Sequence, residues 1–183
     1  MSWTIGTPTT ITWTVAGGSF VSFLVEYSSD NGDNWSTLAT LDGDATSYEY
    51  TPVPGDEASA ALVRVTGVSP SRSNSDVCNA SFAVNPVLTL TYPNGTEMIE
   101  AGDEVAILWT KTGTFTSFDI ELSVDNGYTW APITSGLSGL NTSYSWTVPI
   151  GNSENCLVRI TGHSAADDIS DVSDAVFEIF VAA

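Results

Sequence analysis

The chain has 183 residues, with 22 acids against 4 bases and a formal net charge of -18. A field of that sign repels nucleic-acid phosphates and anionic lipid heads, which excludes nucleic acid as a partner. The 6 Trp, 6 Tyr and 7 Phe are enough to build a core, which a disordered acidic tail lacks. The 46 Ser and Thr residues favour strands and turns over helices. No run of 18 apolar residues occurs, so membrane insertion is not expected.

Short alternating runs between turn signals predict strands over 8–14, 21–28, 34–40, 46–51, 61–67 and 78–84. The second half predicts strands over 87–92, 104–110, 117–124, 129–134, 142–147, 156–162 and 174–181. The two sets are copies. Ile11-Thr12-Trp13-Thr14 returns as Ile107-Leu108-Trp109-Thr110, and Leu62-Val63-Arg64-Val65 returns as Leu157-Val158-Arg159-Ile160. The offset stays at 95 or 96, which suits a whole small β-domain and is too long for a solenoid unit. The expected fold is all-β: two tandem immunoglobulin-like or fibronectin-like β-sandwich domains, 1–85 and 86–183. They meet at Asn85-Pro86 with almost no linker.

The copies differ at their starts. The second opens with Leu88-Thr89-Leu90-Thr91-Tyr92-Pro93-Asn94-Gly95, a strand and a turn ahead of Ile99. The first has only Met1-Ser2 ahead of Trp3, the counterpart of Ile99, so its leading strand is missing. Two explanations stand open. The chain is a piece of a longer array, or a neighbouring subunit adds a strand to the open edge.

The most specific motif is a hairpin. Ser28, Asp30, Gly32 and Trp35 recur as Ser123, Asp125, Gly127, Thr129 and Trp130, with Asn34 in the place of Thr129. Asn31-Gly32 and Asn126-Gly127 tolerate positive φ and mark tight turns. The Asp side chains can accept backbone N–H groups across such a turn. The pattern resembles the Asp-box of sialidases and many secreted β-proteins, which implies a structural role away from any active site.

The copies as wholes resemble the Kre9/Knh1-type Ig-like repeat of bacterial surface and secreted proteins. The second copy carries the pattern at Pro93-Asn94-Gly95-Thr96-Glu97, Trp109, Tyr144-Ser145-Trp146-Thr147-Val148-Pro149, Cys156-Leu157-Val158-Arg159-Ile160 and Ser170-Asp171-Val172-Ser173. The first copy departs with Tyr50 for Trp146, Ala61 for Cys156 and Cys78 for Ser173. The resemblance implies a spacer or stalk beside enzymes, adhesins or sorting tails, at the cell surface or outside the cell. It implies no catalysis. No signal peptide is visible in the first residues.

Several groups are candidates for other chemistry. Asp167, Asp168, Asp171 and Asp174 could bind calcium, the one cofactor considered, or form a solvated face. Trp3, Phe20, Tyr92, Phe115 and Tyr128 could line a glycan site or an interface, or fill the core. Cys78 and Cys156 are expected at far ends of the molecule, so their candidate pairing is an intermolecular disulfide in a head-to-tail array. Arg64 and Arg159 alternate with apolar neighbours and are expected to pair with nearby acids. The function expected is a non-catalytic structural module of an extracellular protein, stalk or self-assembling filament, in contact with its own kind or neighbouring domains. A carbohydrate-binding or adhesion module is the alternative.

Overall fold

A computed structural model describes residues 1–16 and 18–182. The described residues form strands and turns, without a helix. No helix is therefore long and apolar enough to cross a membrane. The chain divides into two compact domains, Met1–Asn85 and Pro86–Ala183.

The second domain holds β9 (Val87–Tyr92), β10 (Met98–Glu100), β11 (Glu104–Thr112), β12 (Ser117–Ser123), β13 (Ala131–Ser138), β14 (Ser143–Thr147), β15 (Ser153–His163), β16 (Ile169–Val172) and β17 (Phe177–Phe180). One sheet runs β10-β17-β15-β12-β13, with β16 also on β15. The facing sheet runs β14-β11-β9. Alternation explains both. Phe118 and Ile120 on β12, and Cys156, Val158 and Ile160 on β15, point inward at every second residue. Leu88, Leu90, Ile107, Trp109 and Trp146 from the smaller sheet close on them. Each such side chain contributes about 1.5–3 kcal/mol by leaving water.

The first domain repeats this plan with β1 (Ser2–Thr4), β2 (Thr9–Thr12), β3 (Ser22–Ser28), β4 (Ser36–Asp42), β5 (Ser47–Tyr50), β6 (Ala58–Ser69), β7 (Arg72–Val77) and β8 (Phe82–Asn85). Its larger sheet runs β1-β8-β6-β3-β4, with β7 on β6. Its smaller sheet is only β2-β5. No counterpart of β9 occurs among its described residues, and β2 is cut short as a result. On β11, residues 108–112 pair with β9. The equivalent stretch, 12–16, has no such partner, and β2 stops at Thr12.

Four strands lie outside the expected set. β1 and β10 are three residues long and pair in parallel with the last strand of their domains. β7 and β16 fold back antiparallel on the long β6 and β15. Every residue of β7 is exposed, so it shows no apolar alternation for a pattern to detect.

Phe20 and Phe115 sit over glycines. A Cβ on Gly162 would lie 2.6 Å from the Phe115 ring, and one on Gly67 would lie 2.7 Å from the Phe20 ring. Phe115 is buried and packs on Phe118 with ring centroids 5.1 Å apart. Replacing Gly162 by Ala is therefore expected to destabilise the second domain by about 1–3 kcal/mol through overpacking. A lower urea midpoint for that domain, with its strand content unchanged, is the measurement that checks it.

Candidate functional site

The loops joining β3 to β4 and β12 to β13 carry the same polar network. The buried Ser28 hydroxyl accepts the N–H groups of Asp30 at 3.3 Å and Gly32 at 2.8 Å, and donates to Asp30 Oδ1 at 2.8 Å. Asp30 also accepts the Asn34 N–H on Oδ1 at 2.8 Å and the Asn34 amide on Oδ2 at 2.6 Å. Ser123 and Asp125 make the same bonds, with the Thr129 N–H and hydroxyl at 2.8 and 2.5 Å in place of Asn34. Asn31 and Asn126 hold φ of 57° and 59°, as the tight turn requires. Their N–H groups reach Ala60 O on β6 and Asn155 O on β15, tying each turn to the sheet behind it. Asn34 hydrogen bonds lower the Asp30 pKa to about 2, and Thr129 hydrogen bonds lower that of Asp125. Both carboxylates are thus occupied by their own loops.

The tryptophan that ends each hairpin has a partner that the motif does not reveal. Arg64 grips Glu26 through Nε and Nη2 at 2.7 and 2.9 Å, and its guanidinium lies 4.2 Å from the Trp35 ring centre. Arg159 grips Glu121 at 2.8 and 2.6 Å and lies 4.3 Å from the Trp130 ring centre. In each domain the guanidinium is thus held between an acid and an indole. Cation–π contact of this exposure contributes about 0.5–1 kcal/mol.

The four candidate calcium ligands do not converge. Asp171 accepts the Leu90 N–H at 2.7 Å, and Asp174 accepts the Asn94 amide at 2.7 Å, so both anchor β9 and the turn after it. Asp168 meets His163 Nδ1 at 2.8 Å. The Asp167 carbonyl accepts the Ser164 hydroxyl. Among the described residues, no three His, Cys, Asp or Glu side chains are grouped to hold a metal ion.

The five candidate aromatics form no exposed line. Trp3 and Phe115 are buried core residues. Phe20 and Tyr92 are half-buried, with Phe20 on Phe23 and Tyr92 against the second core. Tyr128 alone stands free, at 87% exposure. The disulfide expectation also needs correction. Cys156 is fully buried, and burial pushes its thiol pKa up, so the folded domain does not present it to a second chain. Cys78 is exposed, and both thiols are free.

Two clusters were not legible as sites. Tyr27 donates to Asp56 O at 2.6 Å, and Tyr50 donates to Asp56 Oδ2 at 2.5 Å. Burial raises both phenol pKa values, which keeps them protonated donors. In the second domain, His163 bridges Asp168 and, through Nε2 at 3.2 Å, Asp119. The hydrogen bond to Asp168 raises its pKa most, with Asp119 adding to the effect.

No protein-family model matches the chain, and no curated protein matches it. Solved structures do. A two-domain fibronectin type-III segment of chicken tenascin shares 14% identity, with 92% of each chain covered and a TM-score of 0.59. The fibronectin(III)-like modules of Clostridium thermocellum CbhA share 19% identity over 98% of this chain and 88% of theirs, with a TM-score of 0.38. The fold is that of tandem fibronectin- or Ig-like sandwiches. At these identities the likeness to the tenascin segment concerns fold alone.

Replacing Ser123 by Ala would strand the N–H groups of Asp125 and Gly127. We expect the second domain to lose about 1–3 kcal/mol, seen as a lower urea midpoint and altered Trp130 fluorescence. The raised His163 pKa carries its own sign. Its contribution is full below the unfolded value of about 6.5 and fades as pH rises through the higher folded value. Urea midpoints of the second domain measured across neutral pH should fall on that limb, and His163→Asn should flatten it.

Proposed function

We propose that this chain is a non-catalytic structural module of an extracellular surface protein or stalk, acting beside neighbouring domains. The observation that carries this is the duplicated polar network. In both domains the side chains with most chemical potential serve the fold. The Asp-box-like carboxylates close their own turns and the arginines clamp glutamates over tryptophans, while in the first domain Tyr27 and Tyr50 donate to Asp56. The resemblance to Kre9/Knh1-type repeats supports a surface or secreted setting. Net charge spread over both domains suits such a module, since nine acids face two bases in residues 1–85 and thirteen face two in 86–183. It keeps like chains apart and soluble.

Sedimentation of the purified chain, with electron microscopy and a panel of glycoside, ester and peptide substrates, tests the proposal. The expected result is a monodisperse monomer that turns over none of them. Turnover that survives repurification would overturn it. Long fibres would replace the spacer by a self-assembling filament.

A further inference from the structure

The single histidine of the chain sits between two carboxylates on different segments. His163 ends β15, in the outward row that also carries Arg159 and Thr161. Its Nδ1 meets Asp168 Oδ1 at 2.8 Å, on the loop that joins β15 to β16. Its Nε2 meets Asp119 Oδ2 at 3.2 Å, on β12. Asp119 is also fixed from its other side, because its Oδ1 accepts the Gly136 N–H of β13 at 2.8 Å. The Asp168 side chain is 62% exposed against 38% for Asp119, so Asp168 is the partner with room to move.

The first domain has a different set of residues at all three places. Val68 lies opposite Ser22 as His163 lies opposite Ser117. Leu24 takes the place of Asp119, and Ser73, which pairs with Val68, takes the place of Asp168. Positions on three separate segments thus change together, and the first copy shows that the fold forms without them.

A ring can donate to two carboxylates only when both nitrogens carry protons. The neutral imidazole has one N–H and one lone pair. One tautomer turns the lone pair on Asp119 and the other turns it on Asp168, so either tautomer surrenders one contact. The neighbouring groups do not supply a substitute. Ser117 on β12, Thr161 on β15 and Ser170 on β16 are uncharged, and β13 carries no charged residue. Asp167 offers its carbonyl to Ser164, Asp171 holds the Leu90 N–H, and Arg159 is held by Glu121.

We propose that His163 is a pH-sensitive fastener: as the imidazolium it ties the loop 164–168 to β12, and on losing its proton it lets that loop come away from the sheet. The Ser164 hydroxyl donates to Asp167 O and accepts the Ala166 N–H, bonds that are internal to the loop and move with it. Ile169 follows directly, paired with Gly162 and packed against the second core, and marks where the loosening stops. The direction follows from the charges. The hydrogen bonds to Asp168 and Asp119 outweigh the opposing effect of burial, so the folded ring keeps its proton to higher pH than a free histidine. The loop is fastened below the free value of about 6.5 and loosens as pH rises through the folded value.

Hydrogen exchange of the full chain, read by mass spectrometry from about pH 5.5 to about pH 9, tests the fastener across the range in which histidine titrates. The peptide 163–169 is compared with the peptide 68–74, the equivalent turn of the first domain. That comparison cancels the intrinsic rise of exchange with pH. Protection of 163–169 relative to 68–74 should fall several-fold as the ring titrates, and ring NMR gives the folded pKa in the same sample. Linkage fixes the size of the fall at about tenfold for each pKa unit by which the fastened ring exceeds the free one. His163→Val and Asp168→Ser install the residues of the first copy. The first variant should abolish the pH dependence, and the second should bring the ring pKa down towards about 6.5 and flatten the fall. Asp168 lies on an exposed loop, so its variant decides the matter even if His163→Val does not fold. Three results would overturn the proposal: relative protection that stays constant with pH, a folded ring pKa at or below about 6.5, or a fall that persists in either variant.

Discussion

A two-layer sandwich is stable only when both inner faces are covered, because the apolar side chains of each sheet have no other means of leaving water. In the second domain that cover is completed by β9. Leu88 and Leu90 add to a core that already holds Phe118, Ile120, Val158 and Ile160. The same strand supplies the ladder partner for residues 108–112 and the N–H for Asp171. Among the described residues of the first domain no counterpart of that strand occurs. Its neighbouring strand shortens to Thr9–Thr12, Trp13 and Phe20 gain solvent, and Cys78 comes to the surface.

The rest of the architecture makes both domains tolerant of such a difference. Each larger sheet is braced from its outer side by an arginine held between a glutamate and an indole. The hairpin that delivers the indole closes through its own serine and aspartate, without help from the smaller sheet. Half of the four basic residues go to these braces. With 22 acids to balance, the chain places two of its four cations where the guanidinium makes two hydrogen bonds to one carboxylate and an aromatic face adds to the attraction.

Much of this was legible in the sequence. The offset between Trp13 and Trp109, and between the two hairpins, identifies tandem domains. Alternation of Phe118, Ile120 and Leu122 identifies a half-buried strand. The pairing of Arg64 and Arg159 with acids follows from their outward positions. The strands β7 and β16 were not legible, because β7 is exposed throughout and β16 has only Ile169 and Val172 as apolar residues, three apart, so neither carries an alternating apolar period. Asp171 and Asp174 look in sequence like ion ligands. An aspartate reads the same whether it meets a cation or an N–H, and only the fold places Leu90 and Asn94 against them. Phe115 reads in sequence as either a surface or a core aromatic until Gly162, 47 residues on, is seen to make room for it. Such pairings depend on contacts distant in the chain, which local pattern cannot carry.

The parallel pairing of the shortest strands has a mechanical consequence. In the first domain β1 and β8 lie side by side, with Ser2, Trp3 and Thr4 beside Ala83, Val84 and Asn85. Because the two run in the same direction, tension on the ends of the domain pulls them lengthwise past each other. The hydrogen bonds of that ladder then share the force together and cannot be broken singly. Three residues of strand thereby act as a shear clamp across the two ends of the fold. The second domain has the same clamp in β10 and β17, with β9 ahead of it in the chain. Under tension the strand that seals its core is strained before the clamp is.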